Sequence, residues 1–136
     1  MLAELFQEED RAREMATRLM QAAQTSRAAA AAERESLLAF LRGPMERHML
    51  FEETKIFPGL ERRGLAPEVQ VATKQHASIR RDTERLASAT DDQLAQLIFD
   101  VARLMLHHTN FEGDYIYPEL SHAEWRELIR ESLEGH

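Results

Sequence analysis

The stretch RHMLFEETKIFPGL, Arg47–Leu60, is written a second time sixty residues on as HHTNFEGDYIYPEL, His107–Leu120. Superposed, His48 falls on His108, Phe51 on Phe111, Glu52 on Glu112 and Ile56 on Ile116. Phe57 meets Tyr117, Pro58 meets Pro118 and Leu60 meets Leu120. The shared pattern H-x-x-F-E-x-x-x-I-[FY]-P-x-L sets a histidine and a glutamate one helical turn apart, so both project from the same side of a helix.

The rest of the chain reads as helix around these two segments. It has 136 residues with few Gly and Pro, which fits one domain over residues 1–136 rich in helix-forming side chains. Apolar residues recur at helical spacing in four long runs. The first uses Leu2, Leu5, Phe6, Ala12, Ala16, Leu19 and Ala23, and the second Leu37, Leu38, Leu41, Met45 and Ile56. A third opens at Pro67 and carries Val69, Ala72, Ile79, Thr83 and Leu86. The fourth follows a capping-box pattern at Thr90–Gln93 and carries Leu94, Leu97, Val101, Met105 and Ile116. Short connections near residues 30, 63 and 91 make neighbours antiparallel. The expected fold is all-α, an up-and-down four-helix bundle. A short fifth helix, through Trp125, Leu128, Ile129 and Leu133 after a second box at Ser121–Glu124, crosses its end. Gly43-Pro44, one turn before His48, should kink or restart the second helix.

The direction of the polar residues decides the function class. At about 100° per residue, His48 and Glu52 lie within roughly 30° of the centre of the apolar face of their helix. His108 and Glu112 straddle the corresponding centre, and His76 is aligned with Val69, Ala72, Ile79 and Thr83. In the first helix the inward series is interrupted at Glu9. Folding at the three connections brings all six to one level. Burying three carboxylates and three imidazoles together costs many kcal/mol without compensation, and bound cations supply it. In each H-x-x-x-E pair the imidazole can end-cap one metal while the carboxylate bridges to a second, and His76 and Glu9 add terminal ligands. Nitrogen and oxygen donors without thiolate suit Fe or Mn, with Zn possible. The chain has no Cys, which excludes disulfides and thiolate sites.

With these residues in place the chain resembles the hemerythrin-like HHE cation-binding domains over about residues 2–120. The resemblance implies a four-helix bundle around a non-haem di-iron centre, used in that family for O2 binding, iron and oxygen sensing, or repair under nitrosative stress. Glu9, within FQEEDRAR, stands where the family usually has a first-helix histidine, and Asp10 would face away from the core. The oxygen carriers have a second histidine four residues after the one matched by His76, where this chain has Arg80. They have an aspartate five residues after the one matched by His108, where this chain has Gly113. The expectation is therefore two Fe ions held by Glu9, His48, Glu52, His76, His108 and Glu112. Their use would be O2-, peroxide- or NO-linked redox chemistry or sensing, not O2 transport. An added carboxylate in place of imidazole favours the ferric state. Tyr115 is expected to reach a bound ligand and Arg13 to neutralise a carboxylate near the site.

The alternatives are a metal-storage or buffering module, and a helical interaction domain with a structural metal. A net charge of −7 argues against nucleic acid and anionic membrane as partners. No apolar run reaches the roughly 18 residues of a membrane span or resembles a signal peptide, so a cytoplasmic location is expected. Small diatomic or peroxide ligands are the expected small-molecule partners. A homodimer through the Trp125 segment, or a signalling or repair partner, would complete a sensor. His107, His122 and His136 read as surface residues. Met15, Met20, Met45, Met49 and Met105 read as core filler, and Phe51, Phe111 and the [FY]-P-x-L tails as packing and helix termination.

Overall fold

A computed structural model of the protein describes residues 2–134, and the expectations for the Leu2 side chain and for His136 fall outside what is described. The structure is all-α. Helix α1 spans Leu2–Thr25 and stops at Ser26, whose hydroxyl accepts the Ala29 amide at 3.0 Å and so starts α2, Arg27–Ala32. The alanine run is therefore the corner between the first two long helices, with a turn at Glu33. The second rod is composite: α3 (Arg34–Phe40), a π-helical turn (Leu41–Met45), α4 (Glu46–Phe51), a second π-helical turn (Glu52–Ile56) and α5 (Phe57–Arg62). Pro44 has no N–H to give, and the regular ladder yields to the wider turn around it rather than breaking. Of the two closures the sequence allows for this rod, near Pro58 or at Gly64, the structure uses the second. Pro58 sits in the first turn of α5, where its missing N–H costs nothing, and the helix ends at Gly64, with φ at +89°.

Helices α6 (Ala66–Ser88) and α7 (Asp91–Tyr115) complete the four-rod bundle, α7 lying between α1 and α6. The capping box at Thr90 and Gln93 forms as read from the sequence. The chain then turns through a 3-10 segment, Tyr117–Glu119, into α8, His122–Glu134, whose own box joins Ser121 and Glu124 at 3.0 and 3.2 Å. No helix among the described residues is long and apolar enough to cross a membrane.

The core divides into two apolar clusters. One gathers Leu19, Leu37, Leu41, Met49, Ile79, Ile98 and Met105, and the other Ile56, Phe57, Leu60, Ala72, Ile116, Trp125 and Leu128. Each fully buried Leu, Ile or Met side chain contributes about 1.5–3 kcal/mol. On α6 and α7 the inward polar residues lie between the two clusters in sequence: His76 between Ala72 and Ile79, and His108 and Glu112 between Met105 and Ile116. Trp125 is buried in this core, and its indole N–H donates to the Tyr117 carbonyl at 3.0 Å. Leu133 is half exposed and belongs to no core cluster.

Helix α8 docks closely against the rod. A Cβ at Gly59 would stand 2.7 Å from Leu128 Cγ. Gly59→Ala is expected to cost about 1–3 kcal/mol by overpacking. A lowered Tm and a red-shifted emission from Trp125, the only tryptophan, would register it; an unchanged melt would show that Leu128 gives way freely.

Candidate metal centre

All six residues read from the repeat and its partners converge. Glu52, His76, His108 and Glu112 have no solvent exposure, Glu9 has 2 % and His48 6 %. They form two groups whose ligand atoms all lie within 4.8 Å of one another: Glu52 with His76 and His108, and Glu9 with His48, Glu52 and Glu112. Glu52 belongs to both. Its Oε1 is 3.1 Å from His76 Nε2, 3.5 Å from His48 Nε2 and 3.6 Å from His108 Nε2.

The outward nitrogen of each ring is committed. His48 Nδ1 lies 3.2 Å from Glu8 Oε2, His76 Nδ1 2.7 Å from Glu53 Oε2, and His108 Nδ1 2.7 Å from Gln75 Oε1. With Nδ1–H donating outward, every Nε2 is turned to the interior, the tautomer a metal ligand needs. The three supports follow one rule. Each sits beside one core residue in the chain and holds a histidine on another stretch of helix: Glu8 beside Glu9, Glu53 beside Glu52, Gln75 beside His76. The second π-helical turn contributes, since it lets Glu52 face the core while Glu53 reaches α6. Arg80 fixes Glu53 in turn, with Nη1 and Nη2 at 2.8 and 3.0 Å from its oxygens, and also grips Glu46. The position that holds a second histidine in the oxygen carriers is thus an ion pair at the rim. Glu53→Ala is expected to weaken cation binding about 10–100-fold by releasing His76. Competition against a coloured chelator measures it, with exposed Glu61→Ala as the control; equal affinities would remove Glu53 from the site.

Without a cation the layer is poorly satisfied. Glu9 Oε2 and both oxygens of Glu112 are buried with no hydrogen-bond partner among the described residues. Glu112 Oε1 lies 2.9 Å from His108 Nε2 but lacks the alignment of a hydrogen bond. His76 Nε2 and His108 Nε2 face each other at 3.1 Å, where one proton can serve only one of them. The electrostatics agree. Burial, then the Glu112 charge, pushes Glu9 up to about 7, and burial and the Glu52 charge raise Glu112. Burial opposes a charged His48, but the hydrogen bond to Glu9 and the charges of Glu52, Glu9 and Glu112 lift it to about 10. His108 is raised well above its usual value: burial opposes this, and Glu112 and Glu52 outweigh it. Glu52, despite burial, is held down at about 2 by its close neighbours Glu112, His108 and His76 and by the His48 charge. Protons do here, incompletely, what cations would do. Three inward imidazole nitrogens, three carboxylates and three orphaned oxygens fit the binding of metal cations through nitrogen and oxygen donors.

Two expectations need correction. Tyr115 is 59 % exposed and packs on Phe111, because α7 ends there and the chain swings away from the helical path. Tyr117, two residues on, enters the site instead, its hydroxyl 3.2 Å from Glu9 Oε1 and 3.5 Å from Glu52 Oε2. The carboxylate that Arg13 neutralises is on the surface and pairs with none of the six inward residues. Arg13 pairs with exposed Asp10 at 3.0 Å and donates to the Thr109 carbonyl at 3.1 Å, in space that Gly113 leaves open. His107 and His122 are exposed, as expected.

The repeat tails also do more than pack. Phe57 stacks on His76 at 5.4 Å, closing one side of the layer. A cavity of about 30 Å3 lies beside Glu9 and His48, lined also by Ala12, Phe40, Pro44 and Met45. That is room for one or two water-sized molecules.

No curated protein and no solved structure matches the chain. The sequence profile of the hemerythrin HHE cation-binding domain matches residues 1–120, which include all six inward residues and Tyr117. A bundle whose helices deliver histidine and glutamate to a single buried layer therefore has its family: the chain belongs to the hemerythrin HHE cation-binding domains.

Proposed function

We propose that the chain holds two iron ions in the bundle core, bridged by Glu52, and uses them for redox chemistry on O2, peroxide or NO, or for sensing them, rather than for O2 transport. The observation that carries this reading is the place of Glu52 in both ligand groups, its Oε1 within 3.6 Å of all three inward nitrogens. Glu9, His48, Glu52 and Glu112 would hold one ion; Glu52, His76 and His108 the other. Bound iron would supply a one-electron couple and an acidic site for a small ligand.

The chain's own residues set the conditions. Glu8, Glu53 and Gln75 hold the imidazoles in the ligating tautomer. Phe57, Met49, Ile56, Met105 and Ile116 exclude bulk water from the layer. Glu9 in place of a neutral ring adds negative charge on one side, which favours the higher oxidation state. The cavity beside Glu9 and His48 has room for a diatomic or a peroxide. Arg80 and Gly113, at the positions where oxygen carriers have ligands, support chemistry other than reversible O2 delivery.

Anaerobic loading with ferrous iron, followed by mixing with O2, peroxide or NO, tests the reading by absorption. Ferric charge-transfer bands, or a nitrosyl spectrum, appearing much faster than with ferrous iron in buffer are expected. Iron that is bound but labile and reacts no faster than free iron would sink the redox reading and favour storage.

A further inference from the structure

The repeat that builds the site is asymmetric at one aromatic position, Phe57 in the first copy and Tyr117 in the second. Phe57 lies against His76, beside the group of Glu52, His76 and His108. Tyr117 lies against the other group, with its hydroxyl between Glu9 and Glu52. Each copy thus caps one of the two groups, and only the cap over the carboxylate-rich group carries an oxygen.

The spacing of that oxygen is a ligand's spacing. Atoms bound to one cation at about 2.0–2.2 Å and at right angles stand roughly 3 Å apart. Within the carboxylate-rich group His48 Nε2 is 2.8 Å from Glu9 Oε1 and 3.5 Å from Glu52 Oε1. The Tyr117 hydroxyl falls in the same range, at 3.2 Å from Glu9 and 3.5 Å from Glu52. The ring is also fixed in place. It meets Phe6 edge-on at 5.0 Å and Trp125 at 5.5 Å, and the Tyr117 carbonyl is held by the Trp125 indole. The chain's other tyrosine, Tyr115, is on the surface.

We propose that Tyr117 is a ligand of the cation at Glu9, His48, Glu52 and Glu112, binding a ferric ion there through its phenolate oxygen. This rests on the two-iron reading and adds a ligand to one of its positions. On binding, the phenol O–H bond breaks and an oxygen–metal bond forms. The proton leaves for solvent and no electron is transferred in the step. The two iron positions are then chemically distinct, one imidazole-rich and phenyl-capped, the other carboxylate-rich and phenolate-ligated.

The test is the visible and resonance Raman spectrum of protein loaded with iron and oxidised with ferricyanide, with iron content measured on the same sample. A phenolate-to-ferric band with tyrosine ring modes is expected. It should be lost in Tyr117→Phe at unchanged iron content and kept in Tyr115→Phe. Ring-deuterated tyrosine should shift those modes in the unaltered protein, so with Tyr115→Phe the assignment stands even where Tyr117→Phe fails to fold. Iron-loaded protein without the band, or a band that survives Tyr117→Phe, overturns the proposal and leaves the two-iron reading intact. Failure to take up iron at all overturns both.

Discussion

Replacing Glu112 with leucine is expected to stabilise the metal-free protein while abolishing cation loading. Both Glu112 oxygens are buried without a hydrogen-bond partner among the described residues, and burial and Glu52 raise its pKa. A carboxylate in that state works against folding at neutral pH, and leucine has similar bulk without the orphaned atoms. Removing a buried carboxyl whose oxygens lack hydrogen-bond partners relieves a desolvation cost of about 1–3 kcal/mol. The matching change at Glu52 should have the opposite sign. Its Oε1 lies 3.1 Å from His76 Nε2, 3.5 Å from His48 Nε2 and 3.6 Å from His108 Nε2, and the carboxyl is held down at about 2. Glu52→Leu strands three imidazoles, and breaking buried pairs of this kind costs about 3–5 kcal/mol. Thermal melts of the two metal-free variants, with metal content alongside, check the pair. Equal destabilisation by both substitutions would mean that Glu112 is satisfied in a way the geometry does not show.

Cation affinity is expected to rise steeply with pH. At pH 7 His48 and His108 each carry a proton that a cation must displace, and Glu9, near its midpoint, carries about half of another. Each released proton makes affinity about tenfold stronger per pH unit, so two or more give on the order of 100-fold per unit near neutrality. The stability of the metal-free protein has its own signs. His48, raised from 6.5 to about 10, contributes stability that is fully present below pH 6.5 and lost as pH rises through 10. Glu52, lowered from 4.5 to about 2, contributes above pH 4.5 and loses it as pH falls towards 2. Glu9, raised from 4.5 to about 7, destabilises the fold as pH climbs between those values. Calorimetric titration in two buffers of different ionisation enthalpy measures the protons directly. A pH-independent affinity with no proton release would contradict the protonated layer.

The six inward residues were legible in the sequence because they lie inside regular helix, where about 100° per residue converts position into direction. Glu9 was separable from Asp10 on that ground alone, and the structure buries the first and exposes the second. Tyr117 was not legible for the same reason in reverse. The helical path was extended past Tyr115, where α7 stops and a 3-10 turn resets the direction. The π-helical turns were signalled only at Gly43-Pro44; nothing in Glu52–Ile56 marks the second one. Glu8, Glu53 and Gln75 carry no motif of their own, yet each is the chain neighbour of an inward residue. That adjacency was the available signal for the histidine supports.

The most direct test is the number of metal ions per chain, by elemental analysis, after expression in iron-replete medium and again after reloading the metal-free protein. The account predicts two irons per chain, falling to at most one in Glu52→Leu. Protein that stays folded and takes up no iron, manganese or zinc would contradict it, as would a single iron bound equally well without Glu52.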